Sequence, residues 1–201
     1  MSLVSCAEER VWQTASPGDL WVMDKLILSR YMRYTCGPVG MDVPTAGDYI
    51  VRPCVNALGL GLGAHKATLD KSTDDLPVGH FWCEFFEGTH YSVDYYIGQQ
   101  VRCTEGIKDP DTFTRWREWR VMDHQIKLPS FLWDFVTRHP KMNCEFIGDK
   151  LIEVHLRENP DFNDDIKHFI PVWVGEDTTP PRGYTYRHHP DIHGRIGAFV
   201  K

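Results

Sequence analysis

The sequence predicts an α+β fold with mostly antiparallel sheets. Three observations carry that prediction. Several short segments alternate apolar and polar residues between glycine- or proline-marked turns, the pattern of half-buried strands joined as hairpins. Two segments, 24–33 and 128–139, carry helix formers instead. The chain has 201 residues, 42% hydrophobic and 25% charged, enough for one domain of two lobes or two small domains.

In order along the chain, residues 1–19 are polar, end in Ser16-Pro17-Gly18 and read as a short leader. DKLILSRYMR (24–33) has apolar side chains at Leu26, Ile27, Leu28, Tyr31 and Met32 and predicts a helix starting near Asp24. GPVGMDVPTAGD (37–48) is turn-rich, and YIVRP (49–53) predicts a strand ended by its proline. NALGLGLGA (56–64) is a glycine-rich loop, followed by a polar stretch to residue 79. HFWCEFF (80–86) predicts a second strand, and HYSVDYYIGQQVRC (90–103) alternates and turns at Gly98 as a hairpin would. Residues 112–123 fit strand or helix. LPSFLWDFVTRH (128–139) predicts a helix with proline near its first turn. The tail, 160–201, is rich in proline, glycine and histidine, with one strand expected at 169–174.

Composition excludes several classes. The net charge is −6 and no long basic run occurs, so a broad nucleic-acid footprint is not expected; RWREWR (115–120) is the one local candidate. The six cysteines lack CxxC spacing, which suits a reduced, intracellular protein. There is no signal peptide and no apolar run of about 18 residues, so the expectation is a cytoplasmic protein with no membrane partner. No GxSxG elbow or Ser–His–Asp set supports acyl-enzyme hydrolysis.

CEFIGDKLIEVHLRE (144–158) is the strongest chemical signal. A hairpin with a three-residue loop at Gly148-Asp149-Lys150 sets Glu145 opposite Glu153 and Asn143 opposite His155, with Arg157 following. Cys144, Phe146, Ile152, Val154 and Leu156 form the apolar face. Like charges directly across a ladder destabilise it by roughly 0.2–1 kcal/mol. A Mg²⁺ ion between the two carboxylates would convert that repulsion into coordination, with water and phosphate filling the other positions. A solvated face that tolerates the pair is the alternative. A two-residue loop would send the glutamates to opposite faces.

Two other clusters are weaker. Gly59, Gly61 and Gly63 with Ala64 are compatible with a dinucleotide fingerprint, but no helical apolar face follows. The same loop fits a flap whose backbone N–H groups cover phosphates beside Arg52, or a plain hairpin turn. His188, His189 and His193 lie close in sequence without helical or strand spacing, so a surface loop is the better reading than a metal site.

The order of these pieces resembles the ATP-grasp family, which includes D-alanine–D-alanine ligases, glutathione synthetases and biotin carboxylases. The resemblance spans about residues 20–160. Asp24-Lys25 in VMDKLILSRYM is similar to the family's helix opening, and DYIVRP (48–53) to its strand ending in Lys-Pro, with Arg52 for lysine. NALGLGLGA resembles the phosphate loop and WCEFFEG (82–88) the strand into the hinge. NCEFIGDKLIEVHLRENP resembles the acidic metal-ligand ending, with His155 where the family has asparagine. His90 stands roughly where the family has a ribose-binding acid.

The resemblance implies two lobes with a nucleotide cleft between them, formed by residues 20–160, and a C-terminal extension over 161–201. It implies ATP and Mg²⁺ as cofactors, and an ADP-forming ligase that activates a carboxylate as an acylphosphate for attack by an amine or other nucleophile. Lys25, Arg52 and the glycine loop would lie at the phosphates, Glu84, Phe85 and Phe86 at adenine, and His90 near the ribose. Glu145, Glu153 and His155 would hold metal, and Arg157 would lie at the acylphosphate, with Arg52 beside it in the catalytic set. The family's substrate-binding N-terminal domain has no counterpart before Asp24, which leaves a place for a second subunit as a partner to supply it. A nucleotide-binding module without turnover and an interaction protein keeping only the fold are the competing expectations.

Overall fold

The computed structural model describes residues 7–55, 61–109, 112, 115–163, 165–190 and 194–201. Two antiparallel sheets organise it. The smaller contains β1 (Cys36–Pro38), β2 (Gly47–Pro53), β3 (His65–Leu69) and β4 (His80–Glu84) in the order β1-β4-β2-β3. The larger has eight strands. They are β5 (His90–Tyr96), β6 (Gln99–Lys108), β7 (Trp116–Val121), β8 (Lys141–Ile147), β9 (Lys150–His155), β10 (His168–Trp173), β11 (Thr185–His188) and β12 (Arg195–Val200), in the order β11-β12-β10-β7-β6-β5-β8-β9. The expected α+β architecture of two lobes with mostly antiparallel sheets is the one observed.

Helix α1 (Ala7–Thr14) lies within the segment expected as a leader, and α2 (Lys25–Tyr31) begins where Asp24 predicts. The Asp24 side chain accepts the Ile27 amide at 3.0 Å, capping one of the orphan donors of the first turn. Leu28 faces inward with Val22 and Met23 of the preceding 3-10 helix, Leu20–Met23. They cover the apolar face of the large sheet, where Val93, Tyr95, Cys144, Phe146 and Val154 form the main core.

Segment 128–139, expected as a helix, is helical over a shorter span and in a tighter form. It forms a 3-10 helix over Ser130–Phe135. Leu132 and Phe135 are its buried residues, three apart, and 3-10 geometry places such a pair on one line. Pro140, just beyond His139, then blocks further helix. The ambiguous 112–123 segment contains strand β7.

Four strands were not expected: β1 at the start of the turn-rich segment, β3 in the polar stretch, and β11 and β12 in the tail. β3 and β11 are the outermost strands of their sheets and mostly solvent-facing, so neither carries a clear apolar alternation. Residues 161–201, expected as an extension, supply β10–β12 to the same eight-stranded sheet. The β5–β6 hairpin turns at Ile97-Gly98, both with positive φ (48° and 74°), the geometry of a tight two-residue hairpin turn.

Candidate functional site

The β8–β9 hairpin produces the expected register by an unexpected route. Ile147 pairs with Lys150 and Phe146 with Leu151, so the loop is the two-residue Gly148-Asp149, with Gly148 at φ 59°. A β-bulge follows: Glu145 pairs with Glu153, which leaves Ile152 as the extra residue. The bulge undoes the face change that the shorter loop would have imposed. Glu145 and Glu153 share a face, and Asn143 pairs with His155 beside them.

Strand β5 continues this polar face. Ser92 pairs with Glu145 and Asp94 with Asn143, while Tyr91, Val93 and Tyr95 point into the core side. Asn143 Nδ2 donates to Asp94 Oδ1 at 2.8 Å and to Ser92 Oγ at 2.9 Å. Asp94 Oδ1 also accepts the Asn159 backbone amide at 2.8 Å, which pins the chain just after Arg157 to the sheet. Burial raises the Asp94 pKa; hydrogen bonds from Asn159 and Asn143 and the Arg102 charge oppose that rise. Sequence reading missed this network, although the HYSVDYY alternation held its signal: three polar residues at period 2 on one face.

The two glutamates are surrounded by cations. Lys25 Nζ, at the start of α2, lies 2.8 Å from Glu153 Oε1, and His155 Nε2 lies 3.5 Å from the same oxygen. Arg52, at the end of β2, is buried, donates from Nη2 to the Ile152 carbonyl at 3.0 Å and packs over the Phe81 ring. That hydrogen bond joins the small sheet to the bulge of the large one. The Arg52 Nε is buried with no hydrogen-bond partner among the described residues. Burial opposes ionisation of Glu153, but Lys25, His155 and Arg52 together hold its carboxyl below the usual range. For Glu145 burial likewise opposes, and the hydrogen bond and charge of His90 prevail, aided by His155 against Glu153.

His90 was expected near a ribose. Its Nε2 lies 3.1 Å from Glu145 Oε2, its ring meets Trp116 and Trp119 edge-on at 4.6 and 5.6 Å, and its Nδ1 is buried without a partner among the described residues.

Glu8 of α1 reaches the same face and was missed altogether. Its Oε1 lies 3.0 Å from His155 Nδ1 and its Oε2 accepts from Arg157 Nε at 2.5 Å. Burial alone would raise the Glu8 pKa, yet His155 and Arg157 lower it to about 2. The available clue was AEERVWQT, eight residues of helix-forming composition in which Val11 and Trp12 pack against the main core.

At the junction of the lobes, a cavity of about 420 Å³ is lined by Asp48, Lys66, Phe85, Phe86 and Glu87 on one side and by Ile147 to Lys150 on the other. Lys66 Nζ sits 4.7 Å from the centroid of the Phe85 ring, and Phe86 packs edge-on against Tyr34. Glu84 has its Oε1 accepting from the Thr35 amide at 2.9 Å, and it does not line this cavity. Gly61 and Gly63 have φ of 61° and 78° in the turn before β3, while Gly59 lies outside the described residues, as does His193.

Among the described residues, no group of three or more His, Cys, Asp or Glu side chains is arranged to hold a metal ion. Nor is any helix among them long and apolar enough to cross a membrane.

No protein-family model matches the sequence, and no curated protein matches it. Its backbone does match solved structures. A protein assigned to the ATP-grasp superfamily from Archaeoglobus fulgidus aligns over 90% of this chain and 64% of its own, with a TM-score of 0.52 and 13% identity. The fold is that of the ATP-grasp superfamily. An L-amino acid ligase from Bacillus licheniformis aligns over 90% of this chain and 66% of its own, with a TM-score of 0.51 and 12% identity. The chain thus spans a little under two thirds of the length of either neighbour. Within this ATP-grasp fold, one hairpin carries both features: its strand pair bears Glu145 and Glu153, and its tip, two residues beyond Glu145, lines the inter-lobe cavity.

Proposed function

We propose that the chain binds ATP with Mg²⁺ between its lobes and acts as an ADP-forming ligase, activating a carboxylate as an acylphosphate that an amine or other nucleophile then attacks. One observation carries the reading: Glu145 and Glu153 share a face beside Lys25 and Arg52, on the hairpin whose tip lines the inter-lobe cavity. Residues 20–160 would form the nucleotide-binding region.

The donor set fits this assignment in a specific way. Two carboxylates, with no metal-holding group of three or more His, Cys, Asp or Glu among the described residues, suit Mg²⁺, which dehydrates reluctantly and takes one or two carboxylates plus phosphate oxygens. Glu145 and Glu153 would hold the ion, which would neutralise charge on the transferring phosphoryl group. His155, held by Glu8 on one side and near Glu153 on the other, is a poorer Mg²⁺ ligand than an amide oxygen and would act mainly by its charge. Arg52, whose buried Nε has no hydrogen-bond partner among the described residues, and Lys25 would balance phosphate oxygens. Phe85 and Phe86 with Lys66 would receive the base in the cavity. Arg157 would orient the reacting carboxylate so that its oxygen meets the phosphorus in line.

A second reading, nucleotide binding without turnover, is favoured by one contact: Arg157, the residue assigned to the reacting carboxylate, is engaged by Glu8. Thermal unfolding with ATP, with and without Mg²⁺, on the wild type and Glu153→Gln tests both readings. A Mg²⁺-dependent rise in melting temperature, lost in Glu153→Gln, is expected, since a saturating ligand stabilises by several tenths to a few kcal/mol. An unchanged wild-type melting temperature would remove both readings. ADP release on adding an acceptor would then separate ligase from binding module.

A further inference from the structure

Arg157 and His155 present two donors that converge on one carboxylate, one to each oxygen; Glu8 and His155 are buried and Arg157 is partly buried. Their partner, Glu8, comes from a different part of the chain, 147 and 149 residues away in sequence. The helix that brings it is short, eight residues. Trp12 Nε1, one turn beyond Glu8, is buried with no hydrogen-bond partner among the described residues. The clamp itself rests on the large sheet and does not depend on α1: Asn159, two residues past Arg157, is tied to Asp94 and Ser92.

We propose that Arg157 and His155 form a carboxylate-binding subsite filled in cis by Glu8, and that a free carboxylate ligand enters it by taking the place of the Glu8 side chain. The proposal deepens the ligase reading by locating the carboxylate, and it adds an occupant that the reading does not require. A glutamate tethered to the same chain competes at an effective concentration in the millimolar range or above, so a free carboxylate meets a site already occupied. The depressed pKa of Glu8, to about 2, agrees with a clamp that favours an ionised carboxylate.

The test uses propionate, a free monocarboxylate with the same carbon count as the whole Glu8 side chain, in the full chain and without nucleotide. Sodium chloride at equal ionic strength is the control. Glu8→Ala should show a saturable rise in melting temperature of about 3–6 °C at roughly ten times the dissociation constant. The wild type should need at least tenfold more propionate for the same rise. Glu8→Gln, whose single amide oxygen can accept from only one of the two donors, should respond between the wild type and Glu8→Ala, and Glu8→Ala/Arg157→Gln should respond no more than to chloride.

If Glu8→Ala does not fold in chloride, refolding yield in propionate against chloride reads the same contact. Recovery only in propionate supports the subsite. Equal responses of wild type and Glu8→Ala, or a Glu8→Ala protein for which propionate does no more than chloride, would overturn it. Because no nucleotide is present, this outcome is independent of whether ATP binds.

Discussion

Lys25 and Glu153 meet at 2.8 Å across the junction of α2 and β9, with side chains only 6% and 15% exposed. A pair this sheltered is weak evidence for stability as a pair, but breaking it leaves a buried charge without its main partner. Lys25→Met is therefore expected to destabilise the protein by about 3–5 kcal/mol in urea unfolding, nearer the lower figure because His155 and Arg52 still face Glu153. Adding Glu153→Gln should recover part of the loss. A double variant as unstable as the sum of the singles would mean the two side chains act independently.

The Asp94 network makes a distinction between two substitutions. Asp94→Ala orphans the Asn143 amide and the Asn159 backbone N–H, at about 1–3 kcal/mol for each buried donor. Asp94→Asn keeps the accepting oxygen and removes a charge that burial disfavours, so it should be the milder change. Chemical unfolding gives the ranking, and hydrogen exchange at the Asn159 amide should quicken in the alanine variant only.

Gly106 is required by close approach. A Cβ there would sit 2.7 Å from ring atoms of both Trp116 and Trp119, the two rings that meet His90 edge-on. Gly106→Ala should cost about 1–3 kcal/mol by overpacking and change the tryptophan fluorescence of the native state. A variant with native stability would show that the rings move aside freely.

Asp19 supplies the acid-side pH dependence. Its carboxylate is held by two hydrogen bonds from Arg138, at 2.8 and 2.9 Å, and lies 3.0 Å from His139 Nε2. The Arg138 hydrogen bonds are the largest influence; burial opposes them and His139 adds to them, and the pKa falls from 3.8 to about 2. A folded-state pKa below the unfolded value means stabilisation that is complete above 3.8 and lost as pH falls toward 2. The melting-temperature gap between wild type and Asp19→Asn should accordingly narrow between about pH 5 and pH 2. A gap that stays constant over that range would rule out the carboxylate as its source.

Local periodicity makes part of this fold legible from the residues alone. Period-2 alternation identifies β5, β6 and the β8–β9 hairpin, Asp24 marks the start of α2, and Glu145 opposite Glu153 follows from the hairpin pattern even though a bulge at Ile152 replaces the longer loop. The edge strands β3 and β11 escaped because strands with few buried positions leave no apolar rhythm to read. The 3-10 helix at Ser130–Phe135 escaped because two buried residues spaced by three satisfy either helix type.

The partners that balance the charges come from packing between distant segments. Glu153 is answered by Lys25, Glu145 by His90, and Arg157 by a glutamate 149 residues earlier in the chain. A side chain's charge is written in its residue type, but its partner is whichever group the packing of α1, α2 and the two sheets brings within about 3 Å in a low-dielectric cleft, where that contact outweighs everything farther away.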